Sequence, residues 1–322
     1  QLDNVLSAVV AGDGGDVAIP STAIGTGVTS IKVLATNGST GCNIELTDTE
    51  SITVNANPTA SVLSITGSTE ICAGDATTLA VSITGGSSPY ELNINNLAGV
   101  QTGYISASDI AVSPGATTVY SLISVKDANG CESGGKSGTP TVTVQPLPIV
   151  YSVTGGGSYC SDVPVAQGLG VSNSETGINY ILVRDGSTDV ETVGGTTGNP
   201  VNFTATTTPG VYTVRAQRSS APACPVMMSG SVSITSDPLP SAILAFSLSS
   251  ATLCDQETVI GTVTGSESGV NYQMFDQLDN VLSAVVAGDG GDVAIPSTAI
   301  GTGVTSIKVL ATNGSTGCNI EL

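Results

Sequence analysis

The amino-acid sequence predicts an all-β chain built from repeats, and three observations carry that expectation. Short runs rich in Val, Ile and Thr alternate with clusters of Gly, Pro, Asn, Asp and Ser along all 322 residues, and no helical apolar stripe is sustained. Prolines mark a period: "NANP" ends at Pro58, "QPLP" at Pro148 and "DPLP" at Pro240, 90 and 92 residues apart. Residues 1–46 and 277–322 are identical at an offset of 276, which would put the next copy of Pro58 94 residues past Pro240. Three modules that differ in sequence, inside a longer unit that repeats letter for letter, make a two-level repeat.

Seven cysteines follow the same period, none of them in a CxxC pair. Cys72, Cys160 and Cys254 each stand 12 to 14 residues after a junction proline, whereas Cys42, Cys131 and Cys224 stand 16 or 17 before one; Cys318 is the second copy of Cys42. The markers divide the chain into residues 1–58, the C-terminal part of a third-type module; 59–148, the first module; 149–240, the second; and 241–322, the third without its last strand, "TDTESITVNANP". A lone half-sandwich would expose sheet edges and apolar faces, so the expected source is a longer array of 276-residue repeats.

Each module then reads as strands. The first offers "SVLSITG", "TTLAVSITG", "YELNIN", "TTVYSLISV" and "TPTVTVQ". The second offers "VPVAQGLGVS", "INYILVRD", "VNFTATTT", "VYTVRAQ" and "SVSITS". The third offers "ETVIGTVTG", "VNYQMFD", "DVAIPST", "VTSIKVLAT" and, from the first copy, "ESITVNA". About seven short strands in about 90 residues point to immunoglobulin-like β-sandwiches, arranged as an elongated tandem array. Tyr90, Tyr180 and Tyr272 fall at matching third-strand positions and are expected to supply the core aromatic, a structural rather than a binding role.

Composition narrows the function. Twenty-six carboxylates against seven Lys or Arg leave a net charge of −19, opposite to the basic face that nucleic acid requires. No apolar run reaches the length of a membrane span. The first residues lack the form of a signal peptide, and a chain starting within a repeat leaves room for one upstream. With no His, Ser-His and Cys-His nucleophiles are unavailable, and neither a G-x-S-x-G elbow nor a P-loop occurs. No enzyme and no cofactor is expected. Asp13 and Asp16 in "AGDGGDV", with their copies Asp289 and Asp292, could lend oxygens to Ca²⁺, but a solvated acidic turn is the plainer reading. Asp127 and Asn129 in "KDANG" are turn formers first and Ca²⁺ candidates second. Asn37, Asn313 and Asn202 head glycosylation-type tripeptides, which arise easily by chance in a Ser/Thr-rich chain.

"ITGGSSPYELNI" and "SLISVKDANGCESGGKSGTPTVTVQPLP" resemble the Ig-like and PKD-like repeats of Bacteroidota surface proteins. The resemblance is specific in the first module; the second has "APAC" in place of D-A-N-G-C, and the third has "TNGSTGC". It implies giant secreted adhesins and filaments of the gliding-adhesin type, exported by type IX secretion to the bacterial surface. The implied roles are attachment, gliding or prey capture, and the implied partners are copies of the chain itself and a surface or cell receptor.

A structural and adhesive filament repeat is therefore the leading expectation, because copying one unit multiplies reach and valency. Two alternatives stay open: a carbohydrate- or ice-binding array, against which the scarcity of aromatics weighs, and a noncatalytic spacer of a secreted enzyme. Stacked modules of about 35–45 Å would make the 276-residue unit roughly 105–135 Å long. Few Lys gatekeepers on Thr/Val strands favour lateral association into multi-chain filaments. Two intrachain disulfide patterns compete. Pairing within modules would join Cys72–Cys131, Cys160–Cys224 and Cys254–Cys318. It meets a topological objection, since a cysteine before the second strand and one after the sixth lie about 25 Å apart across the sandwich. Pairing across junctions, Cys72–Cys224 and Cys160–Cys318 with Cys42, Cys131 and Cys254 left for other repeats, is favoured; bridges between separate chains are the third alternative.

Overall fold

The computed structural model describes residues 5–48 and 50–322. The chain divides into two compact units, Gln1–Pro146 and Leu147–Leu322. Strands and turns make up the described residues, with no helix among them.

The first unit begins with four short strands, β1 (Ser30–Ile31), β2 (Leu34–Thr36), β3 (Asn43–Glu45) and β4 (Glu50–Ser51). They form two antiparallel pairs, β1–β4 and β2–β3. Neither pair covers a core, and Val9, Leu34 and Ile44 remain 99, 59 and 68% exposed. The expected "ESITVNA" strand is confined to Glu50–Ser51, because an isolated strand pair has too little apolar surface to bury.

The first sandwich follows with β5 (Pro58–Ile65), β6 (Glu70–Cys72), β7 (Thr77–Gly85), β8 (Tyr90–Ile94), β9 (Gln101–Tyr104) and β10 (Asp109–Val112). It closes with β11 (Thr118–Val119), β12 (Leu122–Lys126), β13 (Lys136–Ser137) and β14 (Thr141–Gln145). One sheet has the order β10-β7-β5-β13; opposite it lie β12-β8-β9 and β11-β14-β6. The β6–β14 pairing is parallel. Alternation turns Leu63, Leu79, Val81, Leu92, Ile94 and Val125 into one core. The run "TTVYSLISV" is two strands, broken by Tyr120, whose neighbour Ser121 donates its N–H to Asn95 Oδ1. The polar segments "EIC", "QTGY" and "DIAV" are strands despite weak patterns, since each borders a stronger one.

The second unit opens with β15 (Val153–Gly155), β16 (Gly157–Cys160), β17 (Gln167–Val171), β18 (Ile178–Arg184) and β19 (Thr188–Gly194). Next come β20 (Val201–Thr206), β21 (Gly210–Arg218), β22 (Val226–Met227) and β23 (Val232–Asp237). The sheets are β15-β17-β20 and β16-β23-β21-β18-β19, with β16 parallel to β23. Between β15 and β16 the chain crosses from one sheet to the other through Gly155 and Gly156, at φ 97° and 79°. A Cβ on Gly156 would stand 2.7 Å from the Ser233 carbonyl oxygen, so the crossing needs glycine.

A third core follows in the same unit. It is built from β24 (Ala245–Leu248), β25 (Ile260–Thr264), β26 (Val270–Asp276), β27 (Val286–Ala287), β28 (Val293–Pro296), β29 (Ile307–Asn313) and β30 (Asn319–Glu321). Its sheets are β24-β25-β28 and β27-β26-β29-β30. All three expected core tyrosines are buried, Tyr90 at 7% and Tyr180 and Tyr272 at 0% exposure. Each hydroxyl meets the backbone five residues upstream. Tyr90 donates to the Gly85 carbonyl at 2.9 Å, while Tyr180 and Tyr272 accept the N–H groups of Glu175 and Glu267 at 3.1 and 2.8 Å.

Candidate functional site: the cysteine-bearing turns

Cysteines stand in two repeated turn types. Cys72 and Cys160 are the last residues of β6 and β16, the strands that have crossed to the second sheet. Each accepts, on its carbonyl, the N–H three residues on: Asp75 and Val163, both at 3.0 Å. Cys254 makes the same turn with Glu257 at 3.1 Å, and the Glu257 carboxylate also accepts the Cys254 N–H at 2.9 Å. These are the leading cysteines of the modules.

Trailing cysteines close the turn that leaves the strand opposite the core tyrosine. Asn313 N–H donates to the Cys318 carbonyl at 2.8 Å, Asn37 N–H to Cys42 at 2.8 Å and Asp127 N–H to Cys131 at 3.0 Å. The acceptor that folds the turn is a side chain at the same position. Asn313 Oδ1 accepts from the Ser315 and Thr316 N–H groups at 3.0 and 3.2 Å, and Asn37 Oδ1 from Ser39 and Thr40 at 2.9 and 3.1 Å. Asp127 Oδ1 accepts from Asn129 and Cys131, both at 2.9 Å, while its Oδ2 accepts the Ser87 N–H at 2.9 Å. In the second module Arg218 donates instead to Ala223, one residue before Cys224. That one-residue shift accompanies a Cys224 backbone at φ 47°.

Cys160 and Cys318 are joined by a disulfide, a leading cysteine to a trailing one. It ties the second core to the third, at the end of β16 and the turn between β29 and β30. Cys72 and Cys224 are each engaged in a disulfide. Cys42, Cys131 and Cys254 are free thiols, so neither Cys72–Cys131 nor Cys254–Cys318 forms. Burial, reinforced by the Asp127 charge, pushes the Cys131 thiol above its ordinary pKa.

The carboxylates singled out for Ca²⁺ are otherwise engaged. Burial pushes the Asp127 carboxyl up, but the Ser87, Cys131 and Asn129 hydrogen bonds outweigh it and hold the pKa below its ordinary value. Its lone pairs thus point at N–H donors. Asp13 and Asp289 Oδ1 accept the N–H of Gly15 and Gly291 at 3.0 and 2.9 Å, and Asp292 Oδ1 accepts that of Gly265 at 3.0 Å; Asp16 lies exposed in the same loop as Asp13. Among the described residues no three His, Cys, Asp or Glu converge on one point. A surface depression in the first sandwich, lined by residues such as Asn95, Val112, Pro114 and Thr118, holds no carboxylate, thiol or basic group. What repeats along this chain is the pair of cysteine turns, and sequence spacing had located both.

In both the first and the second sandwich one sheet faces strands among which a crossed-over early strand runs parallel to the last, β6 to β14 and β16 to β23. This strand order defines the immunoglobulin-like β-sandwich. Among solved structures the chain is similar to the human OSCAR ligand-binding domain, at 13% identity over 55% of this chain and 97% of that one, with a TM-score of 0.24. It is also similar to a marsupial T cell receptor, at 12% identity over 81% and 99%, with a TM-score of 0.21. No known family profile matches the chain, and no curated protein matches it in sequence.

Proposed function

We propose that this chain is a structural and adhesive repeat segment of an extracellular bacterial filament or large surface adhesin, without catalytic activity, which assembles with copies of itself and grips an outside surface. The literal repetition of residues 1–46 at 277–322, carrying the same cysteine turn each time, supports this reading most directly. A binding or catalytic site needs to be made once, whereas a fibre gains length with each identical unit. Disulfide bonding fits an oxidising compartment outside the cytosol. Neither nucleic acid nor a membrane is a partner of this segment in this reading, and Ca²⁺ plays no part in it.

The test is to locate the protein in its own cells and image what it builds. Surface labelling with antibody, together with filaments whose axial repeat is about 105–135 Å per 276-residue unit, is the expected result. A cytoplasmic protein with reduced thiols overturns the reading.

A further inference from the structure

Tyr120 and Tyr212 hold one position in two sandwiches. Thr118 pairs with Val142 and Gly210 with Ile234, each partner three residues before the end of β14 or β23, and each tyrosine follows two residues later. Both tyrosines are buried, at 2 and 1% exposure. Tyr212 donates its hydroxyl to the Thr208 carbonyl, four residues upstream, at 2.8 Å. Four residues upstream of Tyr120 stands Ala116, whose carbonyl takes the Thr118 Oγ1 hydroxyl instead, at 2.7 Å. Among the described residues the Tyr120 hydroxyl has no hydrogen-bond partner; burial alone acts on it and pushes its pKa above the ordinary value. A buried hydroxyl left in that state costs free energy that a bound partner would recover.

Tyr120 lines the depression of the first sandwich, about 730 Å³ in volume, together with Asn95, Asn96, Leu97, Pro114 and Thr118. That volume lies within the range of small-molecule sites. The two asparagines are each pinned by one end of the amide. Asn95 Oδ1 accepts the Ser121 N–H, and Asn96 Nδ2 donates to the Val119 carbonyl at 2.9 Å. Among the described residues nothing pairs with Asn95 Nδ2 or Asn96 Oδ1. One depression is thus lined by residues with a spare donor, a spare acceptor and a hydroxyl that can serve as either. Leu97 and Pro114, both half-buried, add apolar wall.

We propose that this depression binds a neutral sugar residue, a hexose unit of a glycan. Each sugar hydroxyl donates and accepts at a single atom, which suits a mixed set of spare donors and acceptors, and the C–H face of the ring suits Leu97 and Pro114. No charged side chain lines the depression and the chain carries a net charge of −19, so anionic sugars are disfavoured. The second sandwich has spent the matching hydroxyl on Thr208 and lacks this donor. The inference deepens the adhesive reading above and rests on it only for where the sugar lies, on an outside surface.

The test is saturation-transfer NMR on the full 322-residue chain. The probes are neutral gluco-, manno-, galacto- and N-acetylglucosamine oligosaccharides, with galacturonate oligomers as the anionic arm. At least one neutral probe should bind with a millimolar Kd, and the uronates about tenfold more weakly or not at all. Tyr120→Phe removes only the unpartnered hydroxyl: it should melt no lower than wild type yet bind about three- to tenfold more weakly. Asn95→Asp keeps the acceptor for Ser121, loses the spare donor, and should weaken binding likewise. Tyr212→Phe should melt lower and bind as wild type does. The proposal is overturned if no neutral probe binds, if uronates bind equally well, or if Tyr120→Phe and Asn95→Asp both bind like wild type. Surface filaments in a protein that binds none of these sugars would leave the filament reading standing and remove only this site. A cytoplasmic protein that binds them through Tyr120 would do the reverse.

Discussion

Asp127 shows how much one side chain can organise. Its carboxylate accepts N–H groups from Ser87, Asn129 and Cys131, closing the trailing turn and fixing it to the loop before β8. The residue is only 5% exposed, and a buried acceptor removed from three donors leaves them unsatisfied. Asp127→Ala is expected to destabilise the first sandwich by about 2–4 kcal/mol, read from chemical denaturation of the chain. Because the folded pKa lies below the ordinary 3.8, the ionised group stabilises the fold at pH values above 3.8, and that contribution disappears as pH falls through the folded value. Acid titration should therefore unfold the wild-type sandwich with a slope that Asp127→Asn diminishes. An unchanged slope would remove Asp127 from the account.

Elements can be compared within one molecule, because residues 1–46 and 277–322 are the same sequence in two settings. In the second setting β29 runs unbroken over seven residues and pairs with β26 from Val270↔Asn313 to Asp276↔Ile307. In the first, the same letters form only β1 and the separate β2. Val309 and Ile295 are 0% exposed, while their copies Val33 and Ile19 are 36 and 44% exposed. Hydrogen exchange followed by mass spectrometry should give two-population isotope envelopes for peptides from the repeated 46 residues, and single ones elsewhere. Glycine offers a sharper contrast. A Cβ on Gly288 would run into the Glu267 carbonyl and stand 2.9 Å from the Tyr272 ring, whereas nothing lies within 4 Å of a Cβ on Gly12. Gly288→Ala should cost about 1–3 kcal/mol and Gly12→Ala almost nothing, as thermal unfolding of the two variants would show.

At the scale of the molecule, the covalent links decide which cores stand or fall together. Cys160 and Cys318 are 158 residues apart in sequence, so their bond removes much freedom from the unfolded second unit. Replacing both by Ser is expected to cost about 5 kcal/mol by loop-closure entropy. In denaturant the transitions of the second and third cores should separate. A wild-type unfolding profile in the double variant would show that the bond does not stabilise the unit. At the same scale, 26 carboxylates against seven basic residues give the chain a net negative charge that repels like copies.

The sequence by itself determined everything that closes within a few residues, together with the period. The "NGSTGC" turn forms with nearly the same hydrogen bonds at Asn37 and at Asn313, because its donors and acceptor lie within six residues. The "DGG" turn likewise forms at both Asp13 and Asp289. The all-β class, the module period and the buried tyrosines were legible for the same reason, since alternation and spacing are local properties of the chain. Tertiary structure alone decided which copy of a strand would exist. "IKVLATN" is a central strand where β26 supplies hydrogen-bond partners and Tyr272 a core, and a broken, exposed segment where neither is packed against it. It also decided the fate of the cysteines, for Cys318 is bonded and its identical copy Cys42 is free. A strand, like a disulfide, takes its free energy from a distant partner, and no reading of its own residues can say whether that partner has arrived.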